Sequence, residues 1–361
     1  MRVLHLLSQL ELTGAESYAI TIAEKQIDMG YDVYIMSDTI NTETRAKYVR
    51  FELNRRGFYN RYNHIRFITD FICQHKIEIV HSHSRASSWS GHMSAKFTGI
   101  PHIASVHQIL PGGFTKKLLP CLGEICLANC ENVKEAIIKN YAFPQDKIIV
   151  LRNPFNTDIF SNLPISDGKM KIVIVGRYSG PKGRVIIWFL KEVISEIEKE
   201  IEPFEIFIIG KRVDEIGRII DEISKGFRKC EVNQIGFVSD IRDVYKISSI
   251  IVGAGRVAIE GILTGRCVLA LGEQGFLGLV TSDRIDNMEA SSYGDCLFQS
   301  NFNTEFAKKE ILYTMKHFNN IVHNQDSLIQ KVIDNHDSEV IVSNINEWYR
   351  FLISSKGKDY K

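Results

Sequence analysis

Lys171-Ile172-Val173-Ile174-Val175-Gly176-Arg177-Tyr178-Ser179-Gly180-Pro181-Lys182-Gly183 is the stretch whose reading decides the fold. An apolar β-type run breaks at a glycine-bracketed loop and then enters an amphipathic helix, read over 185–199. A buried strand opening into a helix N-terminus gathers unpaired backbone N–H groups and positive dipole at one point. Arg177 and Lys182 add cations there, so an anionic group, phosphate foremost, is the expected guest. The loop is not a Walker A loop, because no Gly-x4-Gly-Lys-Ser/Thr string runs through it.

Working outward, the same strand-then-helix alternation occurs in two series. In the first, strands are expected at 3–7, 32–36, 77–82, 103–107, 125–128 and 148–151, with helices at 15–29, 65–75, 87–97 and 132–140 between them. In the second, strands are expected at 171–175, 204–209, 232–235, 250–252 and 268–271, with helices at 185–199, 213–225, 242–247 and 257–263. Short strands that are apolar on both faces imply parallel sheets covered by helices, hence an α/β protein of two doubly wound domains. The turn-forming run Asn162-Leu163-Pro164-Ile165-Ser166-Asp167-Gly168 separates the series. Such sheets bind ligand beyond the carboxyl ends of their strands, and the cleft between two of them is the expected site. After about residue 300 only helices are read, ending in an aromatic-rich helix over 340–353.

A chain of 361 residues suits two domains, each able to bury a core. Its net charge of +1 gives no global field for nucleic acid. Seven cysteines at irregular spacing, with no signal peptide read, imply reduced thiols and a cytoplasmic setting. No apolar run reaches the ~18 residues of a membrane span, so any membrane contact is peripheral, on the inner face. Residues 1–150 hold eight of the eleven histidines, including His81, His83 and His107. His81 and His83 alternate onto one strand face, a metal-pair spacing, yet no third ligand or carboxylate cluster is read beside them. Packing and hydrogen bonding are the expected roles, and no metal is expected.

A run from Arg45 to Arg66 carries Arg45, Lys47, Arg50, Arg55, Arg56, Arg61 and Arg66 against Glu52 as its single acid, with aromatics at Tyr48, Phe51, Phe58, Tyr59 and Tyr62. A solvated face is one outcome. A site for a lipid-diphosphate acceptor or an anionic bilayer, centred on Arg55, Arg56 and Arg61, is the other. Gly253-Ala254-Gly255 after an apolar strand also fits a Gly-x-Gly-x-x-Ala dinucleotide turn, with Glu273 about 20 residues on. An NAD-dependent oxidoreductase is therefore the alternative enzyme class. Its weakness is that three strands of the same sheet precede the turn.

Together these strings resemble the retaining, sugar-nucleotide-dependent glycosyltransferases of family 4, over residues 1 to about 300. Thr13-Gly14-Ala15-Glu16 is similar to the family's first glycine loop, and Ile79–His83 and Ala104–His107 to its histidine-bearing strand ends. Arg152-Asn153-Pro154 with Asp158 resembles its interdomain segment, Gly176-Arg177…Lys182-Gly183 its diphosphate loop, and Gly236–Asp240 its base-side segment. The resemblance implies the GT-B fold, with two Rossmann-like domains facing across a cleft. The acceptor-side domain would span 1–163 and the donor domain 164–337, with a crossover helix in 338–361 packing on the first.

It implies a hexosyltransferase-type reaction from a nucleoside-diphosphate sugar to a hydroxyl, with retention, in cell-surface polysaccharide or glycolipid assembly. The acceptor would be a carbohydrate or lipid-linked, and no cofactor is implied. The absence of an Asp-x-Asp string favours metal-independent transfer. By the same resemblance His107, Arg177, Lys182 and Glu260 are the catalytic candidates. The donor would touch Gly14, Gly176, Gly210, Phe237, Val238, Gly253, Gly255 and Arg256, and Asn153 would sit between domains. One departure stands out: the family's Glu-x7-Glu pair has its second member at Glu260, but Val252 holds the first position, which normally meets the transferred sugar. A catalytically idle relative is the remaining alternative, motivated by Val252.

Overall fold

The computed structural model describes residues 1–9, 14–55, 57–160, 168–176, 179–238 and 240–356. It falls into two units, Met1–Asn156 together with the chain from His336 onward, and Thr157–Asn335. The expected linker at 162–168 lies almost wholly outside the described residues.

The first unit holds β1 (Arg2–Leu6), β2 (Asp32–Ser37), β3 (Lys47–Arg50), β4 (Ile79–Ser82), β5 (His102–Val106), β6 (Ile125–Ala128) and β7 (Ile148–Val150). They form one parallel sheet in the order β3-β2-β1-β4-β5-β6-β7. Every residue of β4, β5 and β6 is buried, because helices cover both faces and each side chain meets one of them. The edge strand β3 was not anticipated. Its sequence Lys-Tyr-Val-Arg exposes charge at the sheet margin, which protects the edge and hides it from a hydrophobicity reading.

The second unit holds β8 (Lys171–Val175), β9 (Phe204–Ile209), β10 (Cys230–Gly236), β11 (Ile250–Gly253), β12 (Cys267–Leu271) and β13 (Phe276–Leu279). Their order is β10-β9-β8-β11-β12-β13, parallel except for β13, which pairs antiparallel with β12. β13 also escaped the sequence reading, since Gly275 and Gly278 break its apolar pattern. The helix read over 185–199 is interrupted: Gly180–Trp188 is α-helical, Phe189–Ile194 adopts π geometry, and Ser195–Ile197 returns to α. Phe189, Leu190, Val193 and Ile194 are all fully buried, and the widened turn is what lets four such residues face one core.

The C-terminal helix, Ser338–Lys356, belongs to the first unit despite its place in sequence. Ile341, Val342, Ile345, Tyr349 and Leu352 form one helical stripe packed with Val3, Tyr18, Ile22, Ile79 and Ile103, and Trp348 rests against the same cluster. Its entry is pinned by the chain before it: Phe155 N–H donates to His336 O, and Ser338 N–H donates to Phe155 O.

Candidate functional site

Strand order reverses between β8 and β11, and at such a switch point the two following loops diverge and leave a crevice. Gly176, Lys182, Val252, Gly253, Ala254, Gly272 and Glu273 line it. Gly176 continues β8 and donates its N–H to Ile209 O at 2.9 Å. The helix beginning at Gly180 has no side-chain cap at Ser179 and carries Pro181 in its first turn, so its free backbone donors remain available to a ligand. Arg177 lies outside the described residues.

Lys182 Nζ donates to Asp295 Oδ2 at 3.3 Å, both side chains being partly exposed. Sequence reasoning missed Asp295. It stands in a turn after the expected strands, with no neighbouring charge pattern to mark it.

Gly253 ends β11, where a Cβ would come within 2.5 Å of Val257 Cγ1. Gly255 has φ +54° and donates its N–H to Ser292 O at 3.3 Å. The helix Arg256–Leu263 starts there. Glu260 is only 8% exposed. Its Oε2 accepts from Tyr245 OH at 3.0 Å and its Oε1 from Arg256 at 3.3 Å. Burial raises its pKa, while the Arg256 charge and these bonds oppose the rise. Each oxygen keeps a second acceptor direction for a hydroxyl. Val252 is fully buried, so that position presents no polar side chain. Further along the edge, Gly210 donates its N–H to Gly236 O at 2.8 Å, Phe237 is 69% exposed, and Val238 packs beside Val173 and Ile209.

The dinucleotide reading of Gly253-Ala254-Gly255 does not survive this topology. The turn follows the fourth strand of its sheet, whereas a dinucleotide fingerprint opens the first. The backbone N–H of Glu273 is bonded to Asp295 Oδ1 at 2.9 Å.

The first unit is built on imidazoles. His5 on β1 lies beside His81 on β4, and ligand atoms of His5, His81 and His83 fall within 4.8 Å of one another. A third imidazole is therefore present, contrary to the sequence reading; it was hidden because β1 and β4 are neighbours in space but far apart in sequence. Hydrogen bonds already occupy these rings. His5 Nδ1 meets His83 Nε2 at 2.9 Å and His5 Nε2 meets Gln26 Oε1 at 2.9 Å. His81 Nδ1 meets Tyr349 OH at 2.6 Å and His81 Nε2 meets Ser105 Oγ at 2.8 Å. Gln26 Nε2 in turn donates to Asn346 Oδ1 at 3.0 Å, tying the cluster to the C-terminal helix. His83 Nδ1 is buried without a hydrogen-bond partner. Burial drives the pKa of His5 down to about 4 and those of His81 and His83 well below the ordinary value, so all three are neutral.

His107 immediately follows β5, sits edge-on to Tyr18 with ring centroids 4.6 Å apart, and is likewise lowered by burial to about 4. Gly14 starts the helix Gly14–Asp28. Two residues on, buried Glu16 accepts from Asn41 N–H at 2.7 Å and from the Gln9 side chain. Asn153 O accepts from His336 Nδ1 at 2.8 Å, within the first unit.

The basic run is partly neutralised from elsewhere. Arg45 pairs with Glu24 and Asp28, Lys47 with Asp32, and Arg55 with Glu52. Arg56 lies outside the described residues, and Arg61 stacks 4.5 Å above the Trp89 ring. Arg61's own helix, Phe58–His75, leaves Phe58, Tyr59 and Tyr62 exposed, and the helix Phe114–Leu118 does the same with Phe114 and Leu118. Among the described residues no helix is long and apolar enough to cross a membrane.

Two Rossmann-like units, each built on a largely parallel sheet, are the architecture of the GT-B class. The solved structures that the chain matches are of this class. A glycosyltransferase from Rickettsia africae superimposes with a TM-score of 0.78 at 20% identity, over 98% of each chain. Anabaena HepE in complex with UDP-glucose gives 0.73 at 14% identity, over 98% of this chain and 100% of that one. Sucrose-phosphate synthase from Thermosynechococcus elongatus gives 0.73 at 13%, with the same coverage. Within that class, residues 12–159 match the family model for Glycosyltransferase Family 4. No curated protein matches the chain by sequence.

Proposed function

We propose that this protein is a retaining glycosyltransferase that moves a hexosyl group from a nucleoside-diphosphate sugar to a hydroxyl of a carbohydrate or lipid-linked acceptor. The observation that carries this reading is the β8/β11 crevice, where uncapped helix donors, close-approach glycines and Lys182 converge. As the glycosidic bond to phosphate breaks, negative charge builds on the leaving diphosphate. Lys182 and Arg177 then bind that charge more tightly than the ground state, which lowers the barrier. The departing phosphate takes the acceptor proton on the same face, so retention needs no protein nucleophile. Glu260 holds the ribose, Phe237 and Val238 flank the base, and His107 in its neutral form hydrogen-bonds a donor hydroxyl. The reaction uses no cofactor or metal in this reading, and its setting is cell-surface polysaccharide or glycolipid assembly.

The chain stays on the cytoplasmic side, with peripheral contact to the inner membrane face through the aromatic and basic rim. Residues 53–69 and 79–123 contain no Asp or Glu but eight Lys or Arg, and Phe58 (92%) and Phe114 (83%) are among the most exposed apolar side chains. Co-sedimentation with phosphatidylglycerol vesicles, lost in high salt, is the expected result. Equal binding to neutral vesicles would remove the charge argument.

Thermal shift with UDP, GDP and ADP tests the donor reading, since a ligand bound well below its added concentration raises stability by RT ln(1 + [L]/Kd). Glu260→Gln should weaken whichever nucleotide binds, and an NMR assay of the product anomer decides retention. No shift with any of the three, or a shift with NAD alone, would sink the proposal. The oxidoreductase alternative is not favoured, given the strand at which its turn falls. An idle binding protein would show the nucleotide shift with no transfer or donor hydrolysis.

A further inference from the structure

We infer that Asp295 is the sugar-binding carboxylate of the donor crevice and sets which transferred sugar it accepts; this rests on the transferase reading above. The turn that presents it is an unusual one. Ser292, Tyr293 and Gly294 are successive residues at positive φ, 52°, 59° and 96°. Non-glycine residues adopt that region uncommonly, and two in succession are held there by their surroundings.

Here the surroundings are the two glycine loops of the crevice. Gly255 N–H donates to Ser292 O at 3.3 Å, and Gln274 N–H donates to Gly294 O at 3.0 Å. A Cβ on Gly272 would lie 2.1 Å from the Gly294 carbonyl carbon, so only glycine permits the contact. The outcome is a carboxylate fixed between three loops. Its Oδ1 accepts the Glu273 N–H at 2.9 Å, and its Oδ2 accepts from Lys182 at 3.3 Å and stands 3.6 Å from the place a Cβ of Gly255 would occupy.

A carboxylate beside a diphosphate site costs least where it faces the ligand's uncharged part. Lys182 has three N–H donors and can bond Asp295 with one and a phosphoryl oxygen with another. It therefore marks the boundary between the phosphate end and the sugar end, with Asp295 on the sugar side. Two sugar hydroxyls donating to the free acceptor directions of Asp295 would supply what buried Val252 cannot.

The test uses the full chain and compares the Kd of each nucleoside diphosphate with that of its sugar: UDP against UDP-glucose and UDP-N-acetylglucosamine, GDP against GDP-mannose, ADP against ADP-glucose. Asp295→Asn keeps the shape and the bond from Glu273, so it should fold. The variant should bind the free diphosphate within threefold of the unaltered chain, or tighter. It should bind the preferred nucleotide sugar at least tenfold more weakly and lose discrimination among sugars, with Asp295→Glu recovering part of both. If Asp295→Asn weakens diphosphate and nucleotide sugar alike, or leaves sugar preference intact, Asp295 is a latch and the inference falls alone. If the unaltered chain binds none of these nucleotides, the transferase reading falls and takes the inference with it.

Discussion

The two units carry the same strand order on either side of a switch point, yet they build their polar centres in opposite ways. In the second unit the polar groups lie on the loops and first helical turns beyond the strands: Lys182, Asp295, Arg256 and glycine N–H groups, charged and open to solvent on one side. In the first they lie on the strands themselves: His5 and His81 point inward from β1 and β4, uncharged and closed over by the C-terminal helix. The lesson is one of solvation. Charges placed in the sheet would bear the full cost of burial, whereas neutral imidazoles can be satisfied by their neighbours. Charges at the carboxyl edge keep some water until a ligand replaces it.

That contrast can be broken most directly at Tyr349. Replacing it by alanine removes a fully buried ring and strips His81 Nδ1 of its partner, so the first unit should lose about 3–5 kcal/mol. Tyr349→Phe should lose less, about 1–3 kcal/mol, the cost of leaving His81 and Gln26 without the hydroxyl. Denaturant melts of a Trp188→Phe chain, in which Trp89 and Trp348 report only the first unit, measure both. No loss in Tyr349→Phe would mean the hydrogen bond contributes nothing, and equal losses in the two variants that the ring packing contributes nothing.

Acid is a second probe. His5 and His107 are neutral in the fold with pKa values of about 4, while the unfolded chain takes up protons near 6.5. Stability of the first unit is thus fully present above pH 6.5, and it drains away as pH falls toward 4. Each such group withdraws up to ~3 kcal/mol over that window. The second unit has no histidine among its expected site residues, and its melting should stay level between pH 7 and 5.5. A parallel decline in both units would erase the distinction.

Lys182→Ala should do the reverse, leaving stability nearly unchanged while lowering turnover with the preferred donor. Loss of one charge-assisted contact costs roughly 1.5–3 kcal/mol, or about 10- to 150-fold in rate. Kinetics within threefold of normal would move the phosphate site elsewhere. The smallest effect belongs to Arg61→Ala, which gives up a half-buried stack on Trp89 worth about 0.5–1 kcal/mol. In vesicle binding the same variant should be visibly weaker, and no change in either assay would leave Arg61 an ordinary surface residue.

Much of the second unit was legible because its chemistry is local. Strand, glycine and cation follow one another within a dozen residues at 171–183, and the glycines of 253–255 punctuate β11 in the same manner. The first unit was less legible because its chemistry is assembled across strands. Nothing in the sequence near His81 indicates that His5 is its neighbour or that Tyr349 bonds it. Asp295 was missed for a related reason: its turn depends on positive φ at Ser292 and Tyr293, residues with no intrinsic preference for that geometry. The π turn at Phe189–Ile194 shows the limit of periodicity, since one widened turn leaves the apolar pattern of a helix intact.

The return of the C-terminal helix has a consequence for biosynthesis. On a ribosome the chain emerges from its N-terminus, and the second unit, Thr157–Asn335, is one uninterrupted segment that has all its parts as soon as it is out. The first unit does not. The apolar faces of Val3, Ile22, Ile79 and Ile103 must wait, uncovered, through about 180 further codons until Ile341, Ile345 and Tyr349 arrive. The unit made first is thus the unit completed last, and a chain cut short before Ser338 presents that bare sheet face to chaperones and proteases.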